Sequence, residues 1–354
     1  GLEHRTSTSL VTARRGLPAR GVARVTDDYR SFLGLASHEY FHLWNVKRIR
    51  PAAFVPYDLA REAYTRQLWA FEGITSYYDD LALVRSVVID AASYLELVGR
   101  TLTTVLRTPG RLVQSVADAS FDAWIKFYRQ DENSPNANVS YYAKGALVAL
   151  ALDLTLRGLG SSLDALMRAL WRRHGDTGTG VPEDGLRGLA IELGGAGLGA
   201  FFDAYVDGTG EMPLGPLLAT HGVTLGLRPA QGPKDRGGKP GNGEPPGASL
   251  GMALGGELRL QHVFAGGAAE AAGLASGDTL VALDGVRASA DRLEAIARDG
   301  RPGDRVAVHA FRRDELFDTT LVLAAPPSDT AWLVADEAAG GDAAARRRAW
   351  LHGA

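Results

Sequence analysis

The chain contains no cysteine among its 354 residues. The absence of cysteine excludes disulfide bonds and every zinc site built on thiolates, so a metal ion bound here would need histidine and carboxylate ligands. No run of about 18 apolar residues occurs, which excludes a simple membrane-spanning helix. The formal net charge is only -3, so charge gives no reason to expect a nucleic acid or an anionic membrane as a partner.

The chain also lacks an initiator methionine and a recognisable signal peptide, since its first residue is Gly1. We therefore expect that it starts after processing or inside a longer protein, and that targeting information is missing. Its length allows two domains, or one large domain and one small one. Residues 1–30 hold Thr-, Ser- and Val-rich segments typical of strands. They cannot make a sheet alone, which suggests that an upstream portion is absent.

One segment carries a pattern that indicates metal chemistry, the H-E-x-x-H of residues 38–42. His38 and His42 are four residues apart, so on a helix they share one face and can reach a single Zn²⁺ at roughly 2.0–2.1 Å. Glu39 then lies beside the open coordination position, where a water molecule needs a base. The alternative is a core helix with two hydrogen-bonded histidines and an incidental glutamate, because such short patterns also occur by chance.

A second helix is predicted from about residue 62 to residue 86, and Glu72 lies in its apolar and aromatic centre. A buried carboxylate without a partner is costly, which makes Glu72 the natural third ligand. The alternative is a salt bridge to an arginine such as Arg66. Asp79, seven residues further on the same face, could orient a ligand histidine. It could instead belong with Asp80 to a solvated helix face.

Further helical patterns cover residues 91–130, 145–159 and most of 161–228. The aromatic run 121–128 is expected to be buried. Tyr141 and Tyr142 stand where a polar loop meets the very apolar helix 145–159. Such tyrosines pack as core by default. Alternatively, one of them could aim its hydroxyl into the metal cleft to stabilise an oxyanion.

Composition changes twice in the second half of the chain. Residues 229–247 are rich in proline, glycine and charge, which is typical of a linker or a long disordered loop. Beyond them, residues 258–323 hold four short strand patterns, and the last residues have no clear partner. The predicted organisation is α+β, with the following parts: a mainly helical domain 1–228 whose residues 1–30 form a short β portion, a linker 229–247, a small β-rich domain 248–326 and a tail 327–354.

Several of these segments resemble known peptidases. His38-Glu39-x-x-His42-x-Trp44 with Glu72-Gly73 downstream resembles the gluzincin metallopeptidases. The longer context is similar to the M61 glycyl aminopeptidase family, and it comprises four blocks: 44–51, 69–80, 131–136 and 140–147. The resemblance covers nearly the whole chain and implies a thermolysin-like catalytic domain. Family members carry a β-rich domain before the catalytic domain, and this chain is expected to be truncated within that domain.

The resemblance assigns roles at the metal centre. It implies that His38, His42 and Glu72 are zinc ligands and that Glu39 is the general base. The same ligands would also accept Co²⁺ or Mn²⁺.

The related M1 aminopeptidases offer two further parallels. Tyr142-x-Lys144-Gly145 is similar to their Tyr-x-Lys-Gly pattern, whose tyrosine stabilises the tetrahedral intermediate; Tyr141 remains the alternative. Gly1-Leu2-Glu3-His4 is similar to their Gly-x-x-Glu-Asn strand, which binds the substrate amine, although His4 replaces the usual asparagine. Without this resemblance, Glu3 is a solvated strand residue.

The β-rich end resembles a PDZ domain. The segment 249–252 stands where PDZ domains place their carboxylate-binding loop, and residues 268–285 are similar to the bacterial PDZ core. The resemblance implies that Leu250, Gly251 and Met252 bind a peptide C-terminus, which adds as a strand to a sheet edge. The alternative is a PDZ-like domain that merely packs on the catalytic domain.

Together these features predict a zinc-dependent aminopeptidase that removes N-terminal glycine or alanine from peptides with a free amino group. One alternative is a zinc endopeptidase of the same fold, which would not need Glu3. Another is a catalytically silent, metal-stabilised protein that presents the PDZ-like domain to peptide C-termini. A scaffold has no use for Glu39 or a cleft tyrosine. We expect a bacterial protein that is periplasmic or secreted rather than cytoplasmic.

Overall fold

The computed structural model of the chain describes residues 1–22 and 24–353. It is a mixed fold with 44% helix and 15% strand, which agrees with the predicted α+β class. Two hydrophobic cores are present. The first gathers residues between Val46 and Val223 and, from the far end of the chain, Ala331, Leu333, Trp350 and Leu351. The second gathers residues from Ala248 to Leu323.

The N-terminal residues form a small hairpin beside the first helix. Strands β1 (Leu2–Glu3) and β2 (Thr8–Ser9) pair antiparallel. Helix α1 (Asp27–Phe41) follows after an irregular stretch. The hydroxyl of Thr26 accepts a hydrogen bond from the Tyr29 backbone N–H at 3.2 Å, so Thr26 caps the helix that carries the H-E-x-x-H pattern.

The second helix begins later than the sequence predicts. A single π-helical turn, Trp69–Gly73, leads into α2 (Ile74–Arg85), and residues 62–65 are not helical. The cause is a distant carboxylate. Glu183 accepts hydrogen bonds from the Thr65 hydroxyl at 2.7 Å and from the Arg66 backbone N–H at 3.0 Å. These bonds hold the segment extended against the loop before a later helix.

One helix of the first unit, α6 (Ala143–Gly158), is almost entirely buried. Every residue of α6 from Lys144 to Leu154 is buried, as expected of a helix that is apolar on all sides. The other helical segments confirm most of the helical patterns predicted between residues 91 and 220, whereas residues 223–228 form a strand. These segments are α3 (Ala91–Leu106), α4 (Val116–Phe121), a π-helical turn (Ala123–Phe127), α5 (Ser134–Ala137), α7 (Leu163–Leu170), a second π-helical turn (Trp171–Gly175), α8 (Gly185–Gly194), α9 (Leu198–Tyr205) and α10 (Leu214–Ala219).

Among the described residues, no single helix is both long and apolar enough to cross a bilayer. Two consecutive helical segments, Ala143–Gly158 and Leu163–Gly175, are together long and apolar enough to cross a bilayer, but they are bent by 104° relative to each other.

The second unit confirms the four predicted strand patterns. Strand β3 (Val223–Arg228) belongs to the first unit and precedes the second. The strands and helices of the second unit are β4 (Met252–Leu254), β5 (Leu260–Val263), α11 (Ala268–Ala271), β6 (Thr279–Leu283), β7 (Val286–Arg287), α12 (Ala290–Asp299), β8 (Arg305–Arg312) and β9 (Glu315–Val322). β4 and β5 form an antiparallel hairpin. The other strands form an antiparallel sheet in the order β7-β6-β8-β9.

The composition of the last residues suggests a tail without partners, but the structure shows that this prediction is wrong. Strand β10 (Thr330–Ala335) pairs with β3 along its whole length, and α13 (Gly341–His352) buries Trp350 and Leu351 in the first core. The indole N–H of Trp350 donates to the Tyr77 hydroxyl at 2.9 Å. The second unit is therefore inserted between two paired strands of the first. The sequence could not show this, because the pairing joins residues about one hundred positions apart.

The Pro/Gly-rich segment 229–247 is anchored to the first unit rather than disordered. The Gly238 backbone N–H donates to the Ala331 carbonyl at 2.7 Å. Arg228 contacts Asp235 at 2.5 Å, and Arg107 donates to the Asp235 carbonyl at 2.6 Å. Two guanidinium groups thus hold a segment whose composition alone indicates a loose linker.

Candidate metal centre and active-site cavity

The three predicted ligand residues converge on one point. The Nε2 atoms of His38 and His42 lie 3.1 Å apart. Oε2 of Glu72 lies 3.3 Å from the first of these nitrogens and 3.2 Å from the second. Ligand atoms of a tetrahedral ion with bonds of 2.0–2.1 Å are about 3.3 Å apart, so this triangle fits one zinc ion.

The salt bridge between Glu72 and Arg66, the alternative to a metal ligand, does not form. Arg66 instead binds Asp118 at 2.8 Å and Asp207 at 3.5 Å. Glu72 is half-buried and directs its carboxylate at the two histidines, which is the arrangement of a ligand rather than of a surface ion pair.

The second nitrogen of each histidine also has a partner. Nδ1 of His38 lies 3.1 Å from Oδ2 of Asp79, and Nδ1 of His42 lies 2.7 Å from the Asn45 carbonyl oxygen. Such bonds to a carboxylate or a carbonyl fix the tautomer and ring orientation of metal-binding histidines. Asp79 therefore lies where the sequence predicts it, and the solvated-face alternative is wrong. The Asn45 carbonyl was not predicted.

Asn45 also fixes Glu72 relative to the histidine helix. Its side chain is buried, and Nδ2 lies within hydrogen-bond distance of the Ala70 carbonyl (3.1 Å), the Phe71 carbonyl (3.3 Å) and the Thr75 hydroxyl (3.1 Å). The residue ties the end of α1 to the π-helical turn that carries Glu72. The only signal in the sequence is an asparagine next to a tryptophan in the 44–51 block.

Charge in this cluster favours a cation at its centre. Burial raises the pKa of Glu72, but the hydrogen bonds from His38 and His42 outweigh burial and lower that pKa to about 2. Burial lowers the pKa of His38, but the carboxylates of Asp79 and Glu72 outweigh it and raise that pKa to about 10. Positive charge between these groups is therefore stabilised, whether a proton or a metal ion carries it.

Glu39 places a carboxylate beside the triangle. Its side chain is 6% exposed, and Oε1 lies 3.6 Å from the backbone nitrogen of Gly1. Within the described residues, no group hydrogen-bonds to the buried Oε2. A buried charged oxygen without a donor costs free energy. The arrangement suits a base that accepts a proton from a water molecule in the cavity.

Glu3 reaches the same region from β1. One of its carboxylate oxygens lies within 4.8 Å of ligand atoms of Glu39 and His42, and Oε1 contacts Nζ of Lys47 at 3.0 Å. Glu3 is therefore not a solvated strand residue. A substrate ammonium that bound Glu3 would share it with Lys47.

Three tyrosine hydroxyls meet close to the metal cluster. The Tyr128 hydroxyl lies 3.1 Å from that of Tyr142 and 3.3 Å from that of Tyr141. The ring of Tyr142 lies 6.3 Å from the ring of His38. Burial raises the pKa of Tyr142, and the nearby Glu72 carboxylate raises it further. The phenol thus stays protonated, as a hydrogen-bond donor must. Tyr141 and Tyr142 both face the cavity, so the geometry keeps both as candidates.

Lys144 of the Tyr-x-Lys-Gly pattern has a structural role. Its Nζ donates to the Arg111 carbonyl at 2.8 Å, and its side chain is buried. Burial lowers the pKa of Lys144 to about 8. The lysine thus anchors the beginning of α6 to the segment around Arg111.

A pair of glycines brings the tyrosines close to the metal cluster. A Cβ atom on Gly73 would lie 2.5 Å from Cα of Gly145, and one on Gly145 would lie 3.0 Å from the Trp69 carbonyl oxygen. The π-helical turn and α6 therefore touch backbone to backbone. The glycines that follow Glu72 and Lys144 permit this contact.

The ligand triangle, Glu39, Glu3 and the three tyrosines line one cavity of about 590 Å³, a size typical of ligand sites. The prediction that residues 121–128 are buried is wrong for several of them, because their segment forms the cavity mouth instead of packing into the core. Trp124 is 59% exposed and Tyr128 is 54% exposed. The other large apolar side chains of the cavity include Phe54, Tyr57 and Phe121. The aromatic pattern was visible in the sequence, but its exposure was not.

The residues predicted to bind a peptide C-terminus lie in the second unit, at the start of β4. Gly251 has φ of +69°, and a Cβ there would lie 2.7 Å from the Ala268 backbone nitrogen. The Leu250 carbonyl accepts a hydrogen bond from the Ala269 N–H at 3.0 Å. Met252 pairs with Val263 in the hairpin.

The two units are also in contact. Nδ2 of Asn136 donates to the Val263 carbonyl at 2.8 Å, and Oδ1 of Asn136 accepts from the Ala265 N–H at 2.9 Å. Nδ1 of His262 lies 2.9 Å from the Glu132 carbonyl oxygen. The conspicuous 131–136 block of the sequence therefore holds the second unit against the first.

Comparison with known proteins agrees with this site. Residues 31–148 match the family model described as M61 glycyl aminopeptidase. The chain is also similar to the crystal structure of an aminopeptidase N family protein from Idiomarina loihiensis, with 38% sequence identity and a TM-score of 0.89. The alignment covers 99% of this chain and 60% of that one, so the chain spans about three fifths of that relative. No curated protein matches.

Two proteases share a much weaker likeness. The HtrA-type protease AlgW with a decapeptide is 22% identical over 24% of this chain and 31% of its own, with a TM-score of 0.22. The serine endoprotease from Yersinia pestis is 20% identical over 22% of this chain and 29% of its own, with a TM-score of 0.20. Scores this low carry no argument about function.

The match to this family model and the similarity to this aminopeptidase N family protein both point to the peptidase class. Within that class, residues 31–148 resemble the M61 glycyl aminopeptidase family.

Proposed function

We propose that the protein is a zinc-dependent aminopeptidase that removes small N-terminal residues, glycine or alanine, from peptides. One observation carries the proposal: a triangle of ligand atoms 3.1–3.3 Å apart with a buried glutamate oxygen beside it that has no hydrogen-bond donor among the described residues. The preference for small residues rests on the family likeness. A periplasmic or secreted location is part of the same proposal.

The residues divide the work as follows. His38, His42 and Glu72 would hold the ion, which when bound polarises a carbonyl oxygen and acidifies water. Glu39 takes a proton from the attacking water at Oε2 and later delivers it to the leaving amine. Tyr142, or its neighbour Tyr141, donates a hydrogen bond to the substrate oxygen that gains negative charge.

Glu3 binds the substrate ammonium in this scheme. Its carboxylate lies within 4.8 Å of ligand atoms of Glu39 and His42. A substrate ammonium bound there would therefore bring the carbonyl of the same N-terminal residue close to these two groups. The contact between Glu3 and Lys47 at 3.0 Å favours the endopeptidase alternative instead, because it supplies Glu3 with a charge partner that is not a substrate.

Replacement of Glu39 by Gln tests the central assignment. The Glu39→Gln variant keeps the shape of the side chain but cannot accept the proton, so we expect hydrolysis of a glycyl peptide to fall by about 10²–10⁴-fold. Zinc content, measured by elemental analysis, should stay at the wild-type level. The exposed Glu192 provides the matched control, Glu192→Gln. A zinc-loaded Glu39→Gln protein with the normal rate would falsify the scheme.

Acetylation of the substrate amine separates the exopeptidase from the endopeptidase in the same assay. An aminopeptidase loses activity on the acetylated peptide, whereas an endopeptidase keeps it. A chelator should abolish activity in both cases, and added zinc should restore it.

We also propose that the second unit binds peptide C-termini at Leu250, Gly251 and Met252. The support is that β4, within the described residues, hydrogen-bonds to β5 alone, so its other edge can accept a strand. Calorimetry with free-acid and amidated forms of one peptide library tests this. Equal binding of both forms would favour the alternative in which the unit only packs on its neighbour, which the Asn136 contacts support. A silent scaffold would leave Glu39 without a purpose.

A further inference from the structure

The tyrosine side of the cavity contains a hydroxyl that the proposed mechanism does not use. Tyr128 lies at the end of the π-helical turn Ala123–Phe127 and is half exposed at the cavity mouth. Its hydroxyl lies 3.1 Å from that of Tyr142 and 3.3 Å from that of Tyr141. The ring of Trp124 lies 5.4 Å from the ring of Tyr128 and supports it from outside.

Proton counting gives this contact a direction. A phenol has one proton to donate and lone pairs to accept with. If the Tyr142 hydroxyl donates its hydrogen bond to the oxyanion, then the Tyr128 hydroxyl must be the donor in the contact between Tyr142 and Tyr128. Tyr128 has then used its own proton, so it can only accept from Tyr141. The result is a one-way chain of donors from Tyr141 through Tyr128 to Tyr142.

The middle position of Tyr128 does not depend on which tyrosine meets the substrate. If Tyr141 is the oxyanion donor, the chain reverses and Tyr128 donates to Tyr141 while it accepts from Tyr142. In either case its hydroxyl orients the donor and polarises the O–H bond of that donor, because linked hydrogen bonds polarise one another.

We propose that Tyr128 is a positioning residue for the oxyanion-donating tyrosine. The proposal rests on the proposed function and deepens its tyrosine side. The ring stack supports a fixed geometry. Tyr141 and Tyr142 lie with ring centroids 4.7 Å apart, and Phe127 lies 5.0 Å and 5.6 Å from them. The rings therefore set the hydroxyl separations, and Tyr128 completes the hydrogen bonding that the rings cannot supply.

A double-mutant cycle tests the proposal with a glycyl peptide. Tyr142→Phe should lower kcat by about 10²–10³-fold, the effect of one oxyanion donor. Tyr128→Phe should lower kcat by about 2- to 13-fold, the effect of one neutral hydrogen bond, and leave KM unchanged. Added to Tyr142→Phe, the Tyr128→Phe change should cost nothing more, because its target is gone. If Tyr141 is the donor, the same pattern appears in the Tyr141→Phe background.

A second readout does not depend on turnover. The affinity for a phosphinic dipeptide, whose tetrahedral anion mimics the oxyanion, should weaken on Tyr128→Phe by the same factor as kcat, as measured by calorimetry. Tyr64→Phe is the matched control. The Tyr64 hydroxyl contacts Glu62 outside the cavity, so this variant should match the wild type.

Three outcomes would overturn the inference. The first is a Tyr128→Phe variant with wild-type kcat and analogue affinity. The second is a loss that adds in full to that of Tyr142→Phe and of Tyr141→Phe, which would show that Tyr128 acts separately. The third is a wild-type protein that neither cleaves the peptide nor binds the analogue, and only this outcome would also refute the proposed function.

Discussion

Two walls of the cavity are built in different ways. The metal wall comprises His38, His42, Glu72 and Asp79, and the tyrosine wall comprises Tyr128, Tyr141 and Tyr142. On the metal wall, each ligand histidine has its second nitrogen bound to the protein, His38 to Asp79 and His42 to the Asn45 carbonyl. On the tyrosine wall, the hydroxyls bind chiefly one another, and Tyr128 is 54% exposed to solvent. The first wall is fixed by the fold, whereas the second is fixed by ring packing and closes its hydrogen bonds internally.

This difference corresponds to what each wall must do. An ion needs its ligands in place before it binds, and partners for the second nitrogens provide this preorganisation. An oxyanion donor meets its partner only during the reaction, and catalytic hydrogen bonds often tighten at that stage. Hydroxyls that bind one another can exchange one contact for the substrate without leaving a buried group unsatisfied.

A backbone contact between Gly73 and Gly145 joins the two walls, and its disruption should affect both stability and activity. Gly73→Ala adds a Cβ 2.5 Å from Cα of Gly145, so the turn that carries Glu72 and the helix that carries Tyr142 must separate. We expect overpacking to lower the free energy of unfolding by about 1–3 kcal/mol. Activity should fall by about 10²-fold, since a displacement near 1 Å can cost that much. Thermal unfolding and kcat/KM measure both effects.

Gly188→Ala provides the control for this change. Gly188 also lies inside a helix, but a Cβ there meets nothing within 4 Å. Because alanine favours helix over glycine, this variant should be up to about 1 kcal/mol more stable and fully active. Wild-type activity and stability in Gly73→Ala would show that the walls do not depend on this contact.

The sequence alone predicted the metal wall far better than the tyrosine wall. His38 and His42 share one helical spacing, and Glu72 and Asp79 share another, so local geometry predicted each pair. The cost of a buried carboxylate without a partner then joined Glu72 to the histidines. The Asn45 carbonyl could not be predicted, because every residue has one and only the fold selects it. Tyr128 was missed for another reason. Its aromatic run resembled a core segment, and exposure depends on which distant elements cover it. The same limit applies to the β3–β10 pairing, which joins the two ends of the first unit.

A smaller change can show whether the walls act separately. Asp79→Asn keeps a group that can accept from His38 Nδ1 but removes the charge, so His38 becomes a weaker ligand. We expect zinc affinity, measured by competition with a chelating dye, to fall by about 10- to 100-fold. When zinc is saturating, kcat should stay within about threefold of the wild type, because the loss is one of ion binding rather than of oxyanion stabilisation.

The neighbouring Asp80 gives a close control for Asp79→Asn. Burial, together with the Asp79 charge, raises the pKa of Asp80 well above its ordinary value, so Asp80→Asn should disturb the charge beside the ligands less than Asp79→Asn does and should leave zinc affinity unchanged. The two variants should then differ in the quantity that falls. Asp79→Asn should lose zinc affinity, and Tyr128→Phe should lose kcat. If Asp79→Asn instead kept its zinc and lost kcat at saturation, Asp79 would act on the reaction itself. The two walls would then be one coupled unit.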